Sequence, residues 1–163
     1  DGIRDSVASR GLGDVYKRQL AYHVFGVEPF LLMTIDDPDR AMQCLHKLKE
    51  ISVVFGQAQI DAGADALTFP DHATGDLVSG QYYKTFLLEI HQEMVDQLDV
   101  PLILHICGNT LDRMDFIAQS NMSMFHFDSM YDPQKAIDIE NTNTRSLLIF
   151  EFDLFGKSFY SSI

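Results

Sequence analysis

The chain has 163 residues, 46% of them hydrophobic and 22% charged, which is typical of a single globular domain with enough apolar side chains for a core. It has 12 basic and 24 acidic residues, so the net charge is -12, and neither a nucleic-acid surface nor a membrane-binding or membrane-spanning segment is predicted. The two cysteines, Cys44 and Cys107, make no disulfide framework, which favours a reducing, cytoplasmic location.

The first 19 residues have neither helical nor strand periodicity. They resemble a leader that recurs in translated environmental sequences, and we predict that 1–19 is a non-native leader and exclude it from fold reasoning. A genuine disordered terminus would lead to the same exclusion. From Leu20 the pattern is that of a folded domain, which we predict to extend over 20–148, followed by an atypical tail at 149–163.

Two helices are predicted before the first buried strand. Residues 28–33 indicate a short helix with Pro29 in its first turn. A second helix begins where Asp37 can cap it and Pro38 can take its first position, and helical spacing of apolar residues continues to about residue 62.

Beyond residue 63, short apolar segments alternate with amphipathic ones. Strands are predicted near 66–69, 102–106, 123–127 and 146–150. Helices are predicted at 79–98, 111–118 and 133–139. Alternation of this kind indicates βα units and a parallel sheet, with right-handed crossovers that place the helices on one outer face.

The second predicted strand, 102–106, leads into a pair of residues of chemical interest, since His105 and Cys107 stand two residues apart at its end. Residues i and i+2 of a strand point to the same side, so the imidazole and the thiol share one face. These are the ligand types that zinc prefers. Two ligands do not complete a zinc site, however, and a strand cysteine is often only a small buried hydrophobic residue; both interpretations stay open from the spacing alone.

Polar side chains also follow the neighbouring strands. Asp71 and His72 come after the first of them, and His126 and Asp128 end the third. The carboxyl ends of parallel strands lie at one edge of a sheet, so these residues are predicted to meet His105 there. Each has a structural alternative: Asp71 as a turn former, His126 as a core histidine and Asp128 as a cap.

Four segments, at 62–65, 71–79, 104–109 and 125–128, resemble the uroporphyrinogen decarboxylase superfamily in content and order. The resemblance is to its methylcobamide:coenzyme M methyltransferase branch and covers roughly 20–145. Its most discriminating part is the Leu-His-Ile-Cys-Gly sequence within 104–109.

The resemblance implies an α/β fold of the (β/α)8 TIM-barrel type, with zinc at the mouth of the barrel. His105 and Cys107 match two zinc ligands and would form the catalytic centre, while Asp71, His72 and Asp128 would bind substrate. The implied reaction transfers a methyl group to the thiol of coenzyme M. The methyl donor would be a methylcobamide carried by a partner corrinoid protein.

The chain departs from the family pattern in two ways. The family's third zinc ligand is a cysteine, and no cysteine follows Cys107. A full barrel takes about 250 residues, whereas only about half the strands can be counted, so we predict a fragment of about half a barrel. The tail lacks the expected strand end, which is consistent with a frame shift or misassembly near Arg145.

Two further functions, and the absence of any activity in the chain as given, are also compatible with these residues. The protein could be a corrinoid methyltransferase with another acceptor, such as a folate, or a decarboxylase-like member of the superfamily. Alternatively, the chain as given could be an inactive piece that does not close its site. The original methylated compound is not determined by the sequence, because that choice belongs to partner proteins.

Overall fold

The computed structural model describes residues 12–14, 17–128, 148–152 and 160–161, and the side chains of residues 21–127. The helices are α1 (Lys17–Phe25), α2 (Val27–Asp36), α3 (Pro38–Asp61), α4 (Gly80–Phe86), α5 (Leu88–Gln97) and α6 (Met114–Ala118). The strands are β1 (Leu12–Asp14), β2 (Ala66–Asp71), β3 (Leu102–Ile106), β4 (Met124–Asp128), β5 (Leu148–Phe152) and β6 (Tyr160–Ser161). The helix predicted at 133–139 lies outside the described residues.

The long helix α3 begins where the sequence predicts. The Asp37 side chain accepts a hydrogen bond from the Arg40 backbone N–H at 3.1 Å, and Pro38 takes the first turn, where its missing N–H costs nothing. The helix ends at Asp61, and Gly63, with φ of 97°, turns the chain toward β2. The predicted helix at 38–62 is therefore confirmed to within one residue.

The strands form one six-stranded sheet in the order β1-β2-β3-β4-β5-β6. The four predicted strands correspond to β2, β3, β4 and β5, and all three pairs between them are parallel and consecutive. The predicted arrangement of parallel βα units is confirmed.

The two outer strands lie in segments for which no strand was predicted. β1 pairs in parallel with β2 inside the segment predicted to be a leader without regular structure, and α1 also begins there, at Lys17. β6 pairs antiparallel with β5 in the predicted atypical tail. A strand at a sheet edge offers unpaired N–H and C=O groups to any extended segment, whatever its side chains, so hydrophobic periodicity is a poor guide to such pairing.

The core lies between the sheet and the helices. Alternate residues of the strands are buried on one face: Leu67 and Phe69 of β2, Leu102, Leu104 and Ile106 of β3, and Phe125 and Phe127 of β4. They form one cluster with buried residues of α3, α5 and α6, including Leu45, Ile90 and Ile117. The other face of the strands, which carries Ile103 and His105, is only partly buried. His105 is therefore on the face that the described helices leave open.

The predicted helix at 79–98 is two helices in the structure. A turn at Leu87, with φ of -119°, separates α4 from α5. Leu87 itself is buried, and the break lets both helices bury their apolar residues against the same core. The predicted helix at 111–118 likewise opens with a short 3-10 helix at Leu111–Arg113 before α6.

In the parts of the chain that the structure describes, no helix combines the length and the apolar character needed to cross a membrane.

Candidate functional site

The candidate site lies at the carboxyl end of β3, on the open face of the sheet. Leu104 and Ile106 point toward the helices and are buried, whereas His105 points the other way and is half-buried. Cys107 follows the strand directly, and its side chain is exposed. The predicted shared face of His105 and Cys107 is thus present, because the two-residue period of the strand continues one residue past its end.

The two side chains are in direct contact. His105 Nε2 lies 2.9 Å from Cys107 Sγ, and His105 Nδ1 lies 3.1 Å from the backbone oxygen of His126. A carbonyl oxygen only accepts hydrogen bonds, so Nδ1 carries the proton and donates it. In the neutral imidazole, Nε2 then directs its lone pair toward the Cys107 sulfur, an arrangement in which Nε2 could bind a metal.

His126 is a part of this site that the sequence left undecided between strand-end chemistry and a core histidine. It pairs with His105 in the register of β3 and β4, and the two rings lie 4.5 Å apart between centroids at an interplanar angle of 31°. The ring is half-buried on the same open face. Only the register decides this contact, since a shift of one residue would turn His126 to the helix side.

The backbone after Cys107 is tightly enclosed. Gly108 has φ of 77°, and a Cβ added there would collide with Thr74 Oγ1. The next residue, Asn109, accepts a hydrogen bond at its carbonyl from the Gly75 N–H at 2.6 Å. Glycine at 108 therefore meets two needs at once, a left-handed turn and close approach of the loop 72–79.

Asp71 lies on the opposite side of the sheet from His105. It continues the buried alternation of Leu67 and Phe69, and its carboxylate Oδ2 lies 3.7 Å from His91 Nε2 on α5. Its Oδ1 accepts the Ala73 N–H at 2.8 Å. This helix-side position differs from the pocket-lining position predicted for Asp71, because β2 extends through residue 71 and keeps its two-residue period.

A buried polar network continues from Asp71 into the helices. The Tyr83 hydroxyl lies 2.7 Å from His91 Nδ1, and both residues are almost completely buried. Burial raises the pKa of Tyr83 well above its ordinary value, and the negative charge of Asp71 raises it further. Tyr83 is therefore a neutral hydrogen-bonding group that ties α4 to α5.

The other two predicted substrate residues are less closely defined. His72 is exposed at the start of the loop 72–79. Asp128 is the last residue of β4, and its side chain lies outside the described residues. The backbone of Asp128 is at the same carboxyl edge of the sheet as Asp71 and Ile106, which pair with each other in the register of β2 and β3. Their predicted roles in substrate binding stay predictions.

His105 and Cys107 are side chains of the types that bind zinc, but two ligands are fewer than a zinc site needs. Tetrahedral zinc with ordinary bond lengths separates a nitrogen and a sulfur ligand by about 3.5 Å, so a small side-chain rotation from the 2.9 Å contact would suffice. Among residues 21–127, no group of three or more His, Cys, Asp and Glu side chains is arranged to hold a metal ion. His105 and Cys107 could supply two ligands, with the others coming from outside these residues.

Residues 19–149 match the family model described as uroporphyrinogen decarboxylase (URO-D). The chain belongs to the uroporphyrinogen decarboxylase family. This match covers most of the chain, and it includes β3, β4 and both residues of the His105–Cys107 pair.

The relatives of this chain include both coenzyme M methyltransferases and uroporphyrinogen decarboxylases. A methylated-thiol–coenzyme M methyltransferase from Methanosarcina mazei is 32% identical over 112 residues, which are 68% of this chain and 30% of the relative. A methylcobamide:CoM methyltransferase from Methanosarcina acetivorans is 30% identical over 97 residues, 56% of this chain and 29% of the relative. A uroporphyrinogen decarboxylase from Nostoc sp. is 36% identical over 89 residues, which are 50% of this chain and 25% of the relative.

A solved structure of a methyltransferase from Methanosarcina mazei shares the fold, with a TM-score of 0.75 and 23% sequence identity. The match covers 80% of this chain and 40% of that one. The predicted resemblance to the family and to its methyltransferase branch is confirmed, as is the prediction of a barrel of this type present in part. The chain spans less than a third of the length of the curated relatives named above.

Proposed function

We propose that the complete protein transfers a methyl group from a methylated corrinoid protein to the thiol of coenzyme M, with zinc held by His105 and Cys107. The observation that carries the proposal is the contact of 2.9 Å between His105 Nε2 and Cys107 Sγ on the open face of the sheet. The names of two relatives support the same chemistry, since both are coenzyme M methyltransferases.

The chain's own residues prepare the metal site in this proposal. Cys107 binds as a thiolate, the form in which cysteine is a metal ligand. His105 donates its Nδ1–H to the His126 carbonyl, which holds the ring in place and leaves Nε2 of the neutral imidazole as the atom that would bind the metal. Zinc, when bound, acts as a Lewis acid that lowers the pKa of a coordinated thiol and so makes the sulfur nucleophilic.

The substrate would approach across the carboxyl edge of the sheet. His72 and Asp128 are proposed to contact it from the ends of the neighbouring strands. The proposed contribution of Asp71 is indirect, because its carboxylate accepts the Ala73 N–H at the start of the loop that carries His72. The corrinoid protein would dock at this same edge, and we propose that the reaction takes place in the cytoplasm.

The zinc site needs more than these two side chains. A catalytic zinc takes three protein ligands and leaves one position for substrate, and the described side chains offer two at this place. We therefore propose that a further ligand is contributed by another part of the complete protein. On its own, the 163-residue chain is proposed to bind zinc weakly and to be inactive.

The test is an acceptor assay on the complete protein with a methylated corrinoid protein as donor. Coenzyme M and tetrahydrofolate are offered in parallel, and methyl transfer is expected to coenzyme M alone. Transfer to tetrahydrofolate alone would mean that the acceptor is a folate and not coenzyme M, with the corrinoid protein still the methyl donor. No transfer to either acceptor would overturn the proposal.

A second candidate function is decarboxylation of a porphyrinogen. It is supported by the 36% identity to the Nostoc uroporphyrinogen decarboxylase. Decarboxylation offers no evident use for the His105–Cys107 contact, which is why methyl transfer is the first proposal. Incubating the complete protein with uroporphyrinogen and measuring released carbon dioxide decides between them.

A further inference from the structure

Arg113 is the largest of the fully buried side chains in the described core, and it lies close to the candidate site. Its Nη2 donates to the Val78 carbonyl at 2.7 Å, and its Nη1 donates to the carbonyl of Ala73. Its Nε donates to Asp112 Oδ1 at 2.9 Å, which balances the charge. The two carbonyls belong to the loop 72–79, whereas Arg113 belongs to the segment that follows β3.

The same two segments also meet through their backbones. A Cβ on Gly75 would lie 2.7 Å from the Asn109 oxygen, so only glycine allows this approach without a shift. Asp112 Oδ2 accepts the N–H of Gly80, at the start of α4, at 2.7 Å. Arg113 and Asp112 therefore hold both ends of the loop 72–79 against residues 108–113.

The segment held in this way begins directly after Cys107. Cys107 is exposed and lies one residue past the end of β3, so the backbone that follows it helps to set its position, together with its contact with His105. Its backbone direction depends on Gly108, which rests against Thr74 of the loop. A displacement of the loop would therefore also displace the Cys107 sulfur, which lies next to His105.

We propose that Arg113 is a positioning residue for the site: by anchoring the loop 72–79 to residues 108–113, it fixes the Cys107 sulfur beside His105 Nε2. Arginine suits this position because its planar guanidinium reaches three acceptors at once, which a lysine ammonium on a flexible stem does not reproduce. The predicted effect on metal binding rests on the proposed function, whereas the predicted effect on the mobility of Cys107 does not.

The experiment compares Arg113→Lys with the parent in the complete protein by two readouts. The first is the dissociation constant for Co²⁺ and the intensity of the thiolate-to-cobalt absorption. The second, which needs no metal, is the mobility of a nitroxide label on Cys107 in a background where Cys44 and any other cysteine of the complete protein are replaced by alanine. We expect about tenfold weaker Co²⁺ binding, the scale of losing a residue that orients a ligand, together with greater mobility of the label.

The matched control is Lys49→Met, which removes an ion pair of 2.6 Å between Lys49 and Glu93, two residues outside the site. It is expected to lower the melting temperature without changing either readout. If Arg113→Lys lowers the melting temperature but keeps the parent's affinity and label mobility, Arg113 serves stability alone and the proposal is overturned. Equal changes in Lys49→Met would overturn it as well.

A second variant covers the case in which Arg113→Lys does not fold. Gly75→Ala leaves Arg113 intact but forces the loop away from Asn109, so it is expected to increase label mobility in the same direction. An unchanged spectrum in folded Gly75→Ala contradicts the proposal. If the parent binds no Co²⁺, the proposed zinc function fails, while the label on Cys107 still decides the role of Arg113.

Discussion

His105 and Cys107 form one unit, in which the imidazole is anchored at Nδ1 and presents Nε2 to the sulfur at 2.9 Å. The anchor is the backbone oxygen of His126, which no substitution at residue 126 removes. The strand pairing itself therefore orients the His105 ring, and the contact between His105 and Cys107 depends on the register of β3 against β4.

Replacing either member of this unit is predicted to remove most of the zinc from the complete protein. In Cys107→Ser, the hydroxyl stays protonated near neutral pH and is a poor ligand, and His105→Ala removes the nitrogen ligand altogether. Zinc content per protein is the measurement, with Cys44→Ser on α3 as the control that keeps its zinc. Full zinc content and full methyl transfer in both variants would mean that the pair is only packing.

Gly108→Ala is predicted to destabilise the protein by about 2–4 kcal/mol, from left-handed backbone strain and displacement of Thr74. Gly63→Ala is the matched control, since its φ of 97° brings the same strain but a Cβ there meets nothing within 4 Å. That variant should lose only about 1–2 kcal/mol. Urea denaturation measures both free energies of unfolding, and equal losses would show that the contact with Thr74 is unimportant.

Acid sensitivity is predicted to come in part from Glu93, which bridges α5 to α3. The hydrogen bond from Lys49 holds the pKa of Glu93 below its ordinary value of 4.5, with the charges of Lys49 and His46 acting in the same direction. A lowered pKa in the folded state means that the stabilisation is present above the unfolded pKa and is lost as pH falls through the folded value. In Glu93→Gln, the fall in melting temperature below about pH 4.5 should therefore be smaller than in the parent.

The control for this experiment is Glu50→Gln. Glu50 pairs with Lys47 on the solvent side of α3, where the two side chains are 60% and 77% exposed and the pair contributes little. Its melting temperature is expected to follow the parent at every pH. Identical acid profiles for Glu93→Gln and the parent would show that the contact between α3 and α5 carries no pH-dependent stability.

Tyr83→Phe is predicted to cost about 1–3 kcal/mol, because His91 Nδ1 loses its partner at 2.7 Å inside the core. The pKa of Tyr83 is raised by burial, so its contribution is fully present below the unfolded pKa of 10.0 and is lost as pH rises from there toward the folded value. The parent should thus lose more stability than Tyr83→Phe above about pH 10. Melting temperatures across this range are the measurement, and parallel curves would contradict the assignment.

Much of the fold could be predicted from local sequence. The Asp37–Pro38 pair marks the start of α3, and short apolar runs mark β2 to β5, because capping and burial act on neighbouring residues. The shared face of His105 and Cys107 follows in the same way from the two-residue period of a strand.

Other features depend on contacts between distant segments. The contact between the His126 and His105 rings needs the register of β3 against β4, and the burial of Arg113 needs a loop that lies 35 to 40 residues earlier in the chain. No local pattern distinguishes Arg113 from an exposed arginine, since its partners are backbone carbonyls that every sequence has.

The sequence by itself determined the alternation of strands and helices and the placement of His105 and Cys107 on one face, because both arise from short-range periodicity. Only the tertiary structure decided which way Asp71 faces and that Arg113 is buried. The physical reason is that a side chain's burial and partners depend on where each strand ends and on its register against the next, and these are set by packing across the whole sheet.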